Sequence, residues 1–392
     1  ENILDEIALR GDLTPEIMST LAREIAGAHD RATVVRENGA ANIERVLDIN
    51  LAGFRQSRVF SDAQIERIDK AFRKTLKQKA PILEKRAARG CIKRCHGDLH
   101  LRNICLFEGR PQLFDCIDFN DQLATVDVLY DLAFLAMDLW HRGLRELASL
   151  VVNHYLDSCD QEDGYACLPF FIALRAAVRA HVLATQSEDA HIGNGEDKRR
   201  GARSYYDLAL SLLEPQQARL VAIGGFSGSG KSTVAGKIAP LVGAAPGARL
   251  IESDRTRKAM FGVAPQTRLP DSAYAPEVSG KVYEAMTQRA LALLKDGSPV
   301  VTDAVFDLAE RRDAMEIAAR ATGVRFDGLW LQAAPDILKR RITTRRDAAS
   351  DATTQVLDMQ LSHDVSNLTW KKVRTSGSLE ETLAETRRLL EV

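Results

Sequence analysis

A glycine-rich run at 225–232, GFSGSGKS, contains the residue types that bind a chain of phosphates. Glycines let backbone N–H groups turn toward phosphate oxygens, and the helix expected to begin near Lys231 directs its positive end at the same anion. The run fits the pattern G-x-x-x-x-G-K-[ST] at every fixed position. A plain Gly/Ser turn is the alternative, but a strand-like run precedes this loop and a helical pattern follows it. Binding of ATP and Mg²⁺ is therefore expected through Gly225, Ser227, Gly228, Ser229, Gly230, Lys231, Ser232 and Thr233.

Two acidic residues follow apolar, strand-like runs in the same half of the chain. Asp303 ends a Walker B-like run at 300–303, and we predict that it binds the metal directly or through water, opposite the Ser232 hydroxyl. Asp254 ends the run 249–254 and is followed by Arg255, a pair that suits activation of a hydroxyl and binding of an anionic group. A solvated charge cluster at a helix start is the other interpretation of this pair.

Arginines cluster at 340–346, on and after a helix expected to follow Pro335. In nucleotide-kinase folds such arginines form a lid over the transferring phosphate, which gives catalytic roles to Arg341 and Arg345. A helix face that merely carries arginines is the alternative for each of them.

A second phosphotransfer pattern lies in the first half, at 96–103, HGDLHLRN. Asp98 and Asn103 have the separation of the kinase catalytic loop H-R-D-x-x-x-x-N, in which the Asp accepts the hydroxyl proton and the Asn holds Mg²⁺. The stretch 114–120, FDCIDFN, supplies two further acids, Asp115 and Asp118. A turn and hairpin with incidental acids is the alternative to a catalytic site.

The form HGDLHxxN resembles the aminoglycoside phosphotransferase and choline kinase family. The resemblance implies that a metal-binding Asp closes the second strand of the hairpin after Asn103. Asp115 fits the family's spacing slightly better and Asp118 fits its Ile-Asp-Phe form, so both stay candidates. The resemblance also implies that Asp127 and Asp131 brace the catalytic loop.

This family needs an N-terminal β lobe with a phosphate-covering glycine loop and a strand lysine. The helical residues 1–90 contain neither pattern, and the chain opens on Glu1 rather than Met. We therefore expect that the lobe is missing from this sequence. The first half is expected to keep its acids and its Mg²⁺ ligands and to show little activity.

The second half resembles P-loop kinases related to gluconate kinase, polynucleotide kinase and zeta toxin. The resemblance spans nearly all of 218–392 and is carried by 225–232, 252–255, 301–306 with Arg311 and Arg312, and 340–351. The order of the two halves matches bacterial proteins described as a phosphotransferase-like domain fused to an ATP-binding kinase domain.

A mostly helical first half must position the first set of residues. Helices are expected from Pro15, with Thr14 as N-cap, and over 43–54, 61–83, 144–157, 167–186 and 202–213. A hairpin is expected over 104–107 and 112–117, and a loop over 192–201. His29 is expected at the surface or as a cap.

Strands at 220–223, 249–254, 299–303, 326–331 and 370–373 alternate with helices in the second half, which is the pattern of a parallel sheet. The predicted fold class is α/β. Residues 1–214 are expected to form a mostly helical, kinase-like C-lobe with a short β-hairpin. Residues 215–392 are expected to form a P-loop NTPase domain with a parallel sheet.

The composition disfavours several functional classes. The 392 residues include 53 Lys+Arg and 54 Asp+Glu, so no net field attracts nucleic acid or an acidic membrane. The six cysteines lack zinc-ligand spacing and are expected to be buried, reduced thiols. We find no signal peptide and no uncharged apolar run long enough to cross a bilayer, so we expect a cytoplasmic protein with a small-molecule partner. The sequence does not set the oligomeric state.

These observations favour an ATP-dependent kinase that transfers the γ-phosphoryl group to a hydroxyl of a small molecule. Asp254 is the expected base or acceptor-orienting group, and Lys231 is expected to hold the phosphates. A nucleotide-dependent switch, in which slow ATP hydrolysis regulates the first half or a partner, is the alternative. A nucleic-acid end kinase is disfavoured by the neutral charge and the lack of an aromatic-basic stripe.

Overall fold

The structure is a computed structural model that describes residues 2–189, 194–344, 351, 353–363, 365 and 367–392. The chain divides into two compact units. The first comprises Glu1–Pro215 and Ala244–Pro246, and the second comprises Gln216–Gly243 and Gly247–Val392. The predicted α/β fold class is confirmed.

The first unit is mostly helical, and the helices predicted for it are present. The helices are α1 (Leu4–Arg10), α2 (Pro15–Arg31), α3 (Gly39–Arg55), α4 (Asp62–Ala88), α5 (Asp121–Ala124), α6 (Val128–His141), α7 (Arg145–Asp157), α8 (Leu168–Glu188) and α9 (Gly195–Leu213). The strands pair antiparallel: β1 (Ile92–Arg94) with β4 (Thr125–Asp127), and β2 (Ile104–Phe107) with β3 (Arg110–Leu113).

Polar N-caps set where two of these helices begin. Thr14 Oγ1 accepts a hydrogen bond from the N–H of Ile17 (3.3 Å), and Pro15 occupies the first helical position, as predicted. Helix α3 begins at Gly39, earlier than predicted, because the side chain of Asn38 caps it. The apolar residues of the sequence indicate a helix only from Ile43 onward, because the first turn depends on the cap.

Two further predicted boundaries in this unit are wrong. The second hairpin strand ends at Leu113, because Asp115 adopts a left-handed backbone conformation (φ 59°) that interrupts an extended strand. The segment 194–201, predicted as a loop, contains the start of α9. Glu196 and Asp197 place negative charge at its first turn, where the helix dipole favours it. The rest of the predicted loop, 192–193, lies outside the described residues.

Helix α8 packs against α3, α6 and α9. Together with the turn before it, as Glu162–Glu188, it is long and apolar enough to cross a membrane by length and composition, although no such run was expected from the sequence. Its most apolar stretch is 67% buried within the protein. An all-round apolar helix is ordinary in the core of a domain.

The six cysteines are free thiols. Cys91, Cys95 and Cys167 are buried, as expected, and burial raises their pKa values, that of Cys167 to about 12. Cys116 is exposed, contrary to expectation. It lies in the segment after Leu113 that leaves the hairpin.

The second unit is built on a parallel sheet in the order β6-β7-β5-β8-β9. Its strands are β5 (Arg219–Gly224), β6 (Arg249–Glu252), β7 (Val300–Asp303), β8 (Arg325–Gln332) and β9 (Lys371–Arg374). Its helices are α10 (Lys231–Ile238), α11 (Ser253–Met260), α12 (Pro276–Lys295), α13 (Ala309–Thr322), α14 (Pro335–Thr344), α15 (Thr354–Leu361) and α16 (Leu379–Leu390).

One predicted strand of this unit is too long. The strand predicted at 249–254 ends at Glu252, because Ser253 begins α11. Asp254 therefore lies in the first turn of a helix rather than at a strand end. The other predicted strands are present, and Ser378 and Glu381 form the predicted capping box of α16.

The core of this unit lies on both faces of the sheet. One face carries the buried Val221 and Ile223 of β5, Val301 of β7, Leu329 of β8 and Val373 of β9. The other face carries the buried Leu220, Ala222 and Val300. Parallel strands that are covered on both faces consist of continuous apolar residues. The strands of this sheet can therefore be predicted from the sequence. The buried sheet holds the ends of β5 and β7 in fixed positions.

Arg86 of α4 is a fully buried cation in the first unit. Its Nε and Nη2 atoms donate to the two carboxylate oxygens of Asp127, each at 2.8 Å. Asp127 also caps α6, because Oδ1 accepts from the N–H of Leu129 at 2.8 Å. A second acid, Asp163, accepts from Arg86 Nη1 at 2.7 Å.

We predict that Asp127→Ala lowers the free energy of unfolding by about 3–5 kcal/mol, because it leaves a buried guanidinium without its two-oxygen partner. Denaturant unfolding of the purified chain measures this loss. Asp160→Ala is the matched control, because Asp160 contacts Arg89 with a side chain that is 95% exposed. An exposed pair of this kind contributes up to about 1 kcal/mol. Equal losses in the two variants would contradict the prediction.

Candidate functional site

The predicted phosphate loop connects β5 to α10. Gly225 and Gly228 have φ angles of 142° and 82°, which residues with a side chain rarely adopt. A Cβ atom at Gly228 would lie 2.6 Å from the carbonyl oxygen of Leu338, and one at Gly225 would lie 2.4 Å from that of Leu331. The loop therefore needs glycine at both positions.

Polar groups of the loop have partners inside the second unit. Lys231 Nζ donates to the carbonyl oxygen of Phe226 (3.1 Å), on the other side of the loop. The N–H of Ser227 donates to Gln360 Oε1 of α15 (2.8 Å). Ser229 is fully buried, and its N–H donates to the Phe226 carbonyl oxygen (3.1 Å). These bonds hold the loop in a closed turn around the Lys231 side chain.

The first turn of α10 is the accessible side of the loop. Gly230 precedes the helix with a φ of 91°, and α10 begins at Lys231, as predicted. Ser232 and Thr233 follow and are exposed. The Ser232 hydroxyl can therefore reach a ligand at the N-terminal end of the helix, where the helix dipole favours an anion.

Asp303 lies at the end of β7, beside the start of the phosphate loop. It is 4% exposed and stands opposite Ile223 in the pairing of β7 with β5. Beyond the strand, the N–H of Gly225 donates to the carbonyl oxygen of Val305 (3.1 Å), and the N–H of Ala304 donates to that of Ile223 (3.3 Å). Open α/β sheets bind ligands at this edge, where the carboxyl ends of parallel strands meet.

The charged start of α11 is largely buried and paired. The Arg255 side chain is 11% exposed and lies 3.4 Å from Glu252. Arg257 is buried, with its guanidinium carbon 4.7 Å from the centre of the Tyr274 ring. Burial lowers the pKa of Arg257, and the charge of Asp254 opposes that shift. The interpretation of this turn as a solvated charge cluster is therefore wrong.

Asp351 fastens the loop that follows α11. Its Oδ2 atom accepts from the hydroxyl of Tyr274 (2.6 Å) and from the N–H of Leu269 (3.0 Å), and it lies 3.0 Å from Nζ of the buried Lys258. Burial alone would raise the pKa of Asp351, but these hydrogen bonds hold it below its usual value. The end of the 340–351 stretch is thereby attached to the segment around α11.

Of the two arginines assigned to a lid, only Arg341 can be placed. Its Nη2 atom donates to the carbonyl oxygen of Thr375 (2.6 Å), just beyond β9. Helix α14, which carries Arg341, passes the phosphate loop at Leu338, whose carbonyl oxygen lies against Gly228. Arg345 lies outside the described residues.

The loop after β7 contains a charged cluster that the sequence indicates only weakly. Asp307 is buried, with Oδ1 2.9 Å from Arg311 Nη1 and Oδ2 2.7 Å from His363 Nδ1. Arg311 also lies over the ring of Tyr283, at 4.2 Å from the ring centre. The i, i+4 spacing of Asp307 and Arg311 was the available signal, whereas no local pattern indicates the distant His363.

In the first unit, Asp98 is held by two neighbours in its own loop. Asn103 Nδ2 donates to Asp98 Oδ2 (2.9 Å), and His100 Nε2 lies 3.3 Å from the same oxygen. Burial alone would raise the pKa of Asp98, but the hydrogen bonds from His100 and Asn103 hold it below its usual value. Its side chain is 38% exposed, so this loop presents an accessible, ionised carboxylate.

The segment with both candidate metal acids is attached to the same loop. His96 Nε2 is hydrogen-bonded to the carbonyl oxygen of Phe114 (2.8 Å), and the N–H of Ile117 donates to the carbonyl oxygen of His96 (2.9 Å). Asp115 and Asp118 follow these two anchored residues, and both are exposed. The choice between the two acids stays open.

Asp131, fully buried in α6, holds the backbone of the loop. Oδ1 accepts from the N–H of Gly97 (2.8 Å), and Oδ2 accepts from the N–H of His96 (3.3 Å). His29 Nε2 lies 3.1 Å from Oδ2. Burial alone would raise the pKa of Asp131, but the hydrogen bond and charge of His29 lower it. Asp127, expected to act beside it, instead binds Arg86 and caps α6.

The expectation that His29 lies at the surface or acts as a cap is wrong. His29 is 5% exposed, because the end of α2 packs against α7. Its Nδ1 atom lies 2.8 Å from the hydroxyl of Tyr155, so both ring nitrogens have partners. A buried polar ring needs such partners, and Asp131 supplies one of them.

Comparison with known proteins gives a family match in each unit. Residues 9–171 match the phosphotransferase enzyme family, and residues 220–363 match the AAA domain. The first match includes the loop of Asp98 and Asn103, and the second includes the phosphate loop and Asp303. The two-part resemblance predicted from the sequence is confirmed.

Uncharacterized proteins of Mycobacterium tuberculosis and Mycobacterium bovis are each 28% identical over 378 residues, covering 94% of this chain and 74% of theirs. A gluconokinase structure from Sinorhizobium meliloti is 24% identical and covers 45% of this chain and 94% of its own, with a TM-score of 0.32. A structure of the Mycobacterium tuberculosis APS kinase with AMPPNP and APS is 20% identical and covers 45% and 100%, with a TM-score of 0.33.

We predict that Gly228→Ala strongly weakens ATP binding, because the added methyl group would lie against the Leu338 carbonyl oxygen and would require a strained φ angle. Gly236→Ala is the matched control, because Gly236 lies inside α10 with open space around it. Titration with a fluorescent ATP analogue measures both affinities. An unchanged affinity in Gly228→Ala would contradict the assigned loop geometry.

Proposed function

We propose that this chain, whose two units match the phosphotransferase enzyme family and the AAA domain, is an ATP-dependent phosphotransferase that moves the γ-phosphoryl group to a hydroxyl of a small molecule. We assign the transfer to the second unit. One observation carries the proposal: β7 pairs with β5, so that Asp303 stands at the edge of the sheet where the phosphate loop begins.

Lys231 and the loop N–H groups bind the phosphates in this proposal. Lys231 Nζ exchanges the carbonyl oxygen of Phe226 for a phosphate oxygen, which stabilises charge that develops during transfer. Ser232 and Asp303 hold Mg²⁺, because an exposed hydroxyl and a carboxylate are the oxygen ligands that this ion prefers. When bound, Mg²⁺ neutralises charge on the phosphates.

Asp254 accepts the proton of the acceptor hydroxyl or orients that hydroxyl. The position of Asp254 in the fold supports this role. Strand β6 lies beside β7 and pairs Glu252 with Asp303, and Asp254 is the second residue after β6 ends. Arg255 binds an anionic group near the reacting oxygen. The half-buried position of Asp254 leaves it accessible from the same edge of the sheet.

Arg341 and Arg345 close over the transferring phosphate in this proposal. For Arg341 that role requires release from the carbonyl oxygen of Thr375. The passage of α14 against the loop at Gly228 supports the assignment. Arg345, outside the described residues, keeps the role inferred from the sequence.

In the first unit we assign the proton-accepting role to Asp98. Asn103, with either Asp115 or Asp118, supplies oxygen ligands that fit Mg²⁺. The hydrogen bond from Asn103 to Asp98 supports this assignment. We expect this unit to contribute little turnover in the present chain, because residues 1–90 contain no glycine-rich loop that could cover phosphates.

A nucleotide-dependent switch is the second candidate, and one contact favours it. The N–H of Ser227, which would face a phosphate, donates to Gln360 of α15. ATP would have to displace Gln360, and α15 could then report nucleotide binding to a partner. In that case hydrolysis is slow and independent of any small-molecule acceptor.

We predict that Lys231→Ala lowers acceptor-stimulated ATP turnover by about 100-fold or more, since it removes a charge aimed at the transferring phosphate. Asp254→Asn is expected to lower turnover by about 100-fold or more as well, because it removes the base, and to leave ATP affinity unchanged. Turnover is measured with Mg²⁺ and pooled sugars, nucleosides and aminoglycosides.

Asp313→Asn is the control for these substitutions, because Asp313 is an exposed acid of α13 in the same unit. It should turn over ATP like the unmodified chain. Slow turnover that no pool raises, with Asp254→Asn as active as Asp313→Asn, would exclude the kinase and favour the switch.

A further inference from the structure

A polar cleft lies in the first unit, next to the loop of Asp98. Three of its lining residues come from α6, α8 and α9: Asp138, Arg179 and Tyr205. Arg142, just after α6, Arg102 and His100 complete its polar wall. The cleft therefore combines three arginines with one acid.

Both carboxylate oxygens of the acid in the cleft accept hydrogen bonds from the protein. Asp138 Oδ1 accepts from Arg142 Nε (2.8 Å), and Oδ2 accepts from the N–H of Leu101 (3.1 Å). Arg142 and Arg102 both pair with Asp5 of α1. Arg142 thus lies beside two acids, and Asp138 already accepts a hydrogen bond at each oxygen.

Arg179 has a different environment. Among the described residues it has no acidic partner within ion-pair distance, and it lines the cleft together with Tyr205. Tyr205 is 8% exposed, and its ring stacks on that of His141 at 3.7 Å between ring centres. Burial raises the pKa of Tyr205, so its hydroxyl keeps its proton. That proton is available for donation to a ligand in the cleft that Tyr205 lines.

His100 links the cleft to the candidate catalytic loop. Its ring packs edge-on against Phe134, which also lines the cleft, at 5.1 Å between ring centres. Its Nε2 atom lies 3.3 Å from Asp98 Oδ2. A molecule in the cleft therefore borders the imidazole that is bonded to Asp98.

We propose that this cleft binds a hydroxylated small molecule carrying a phosphate or a carboxylate, with Arg179 and the Tyr205 hydroxyl holding the anionic group. A guanidinium without an acidic partner and a neighbouring hydroxyl donor form a charge-assisted site for either oxyanion. An anion is favoured over a cationic amino sugar, because three arginines and one acid line the cleft. The site is independent of the function assigned to the second unit.

Binding is measured by calorimetry on the full chain carrying Lys231→Ala, so that the phosphate loop contributes little. The probes are glucose 6-phosphate, gluconate, glucose and kanamycin. Arg179→Gln, Arg179→Lys and Tyr205→Phe are each added to this chain. Arg203→Gln is the matched control, because Arg203 is an exposed arginine of α9. The melting temperature of each variant verifies that it is folded.

At least one anionic probe is expected to bind more tightly than glucose, and Arg179→Gln is expected to weaken it at least about tenfold. Arg179→Lys should retain part of that affinity, and Arg203→Gln all of it. Comparison of glucose 6-phosphate with gluconate identifies which oxyanion the cleft prefers. If Arg179→Gln does not fold, weakening in Tyr205→Phe supports the site in its place.

Three results would overturn the proposal. The first is that neither anionic probe binds more tightly than glucose. The second is that the folded Arg179 variants, or Tyr205→Phe where they do not fold, match Arg203→Gln for every probe. The third is that kanamycin binds more tightly than both anions.

Discussion

The parallel pairing of β5 with β7 is the constraint on which the proposed site of the second unit depends. It places Asp303 opposite Ile223, and the loops that leave the two strands are joined by the bond from Gly225 N–H to the Val305 carbonyl oxygen. Both strands are buried in the apolar core, so the acid and the phosphate loop have a fixed separation before any ligand binds. Such preorganisation is the main requirement of phosphoryl transfer, in which the protein contributes positioning and charge.

In both units a buried charged residue lies close in the chain to a more exposed acid. In the first unit, buried Asp131 fixes the backbone at Gly97, and Asp98 stands beside it at 38% side-chain exposure. In the second, buried Arg257 lies one helical turn from half-buried Asp254. Buried Asp131 has its partners inside the protein, whereas Asp98 stays accessible.

Features governed by short-range rules could be predicted from the sequence. The glycines of the phosphate loop, the spacing of Asp98 and Asn103 and the apolar strands all have local signatures. The place of Asp254 could not be predicted, because Ser253 and its neighbours suit a strand end or a helix start, and packing decides between them. Contacts such as Gln360 with Ser227 join distant segments and leave no local pattern.

The fate of the γ-phosphate tests the central claim most directly. The chain is incubated with Mg²⁺, γ-labelled ATP and the pooled hydroxyl compounds, and the labelled products are separated. Transfer within the second unit predicts a labelled organic phosphate that Asp303→Asn abolishes. Label found only as inorganic phosphate, at a rate that no pool alters, would contradict it.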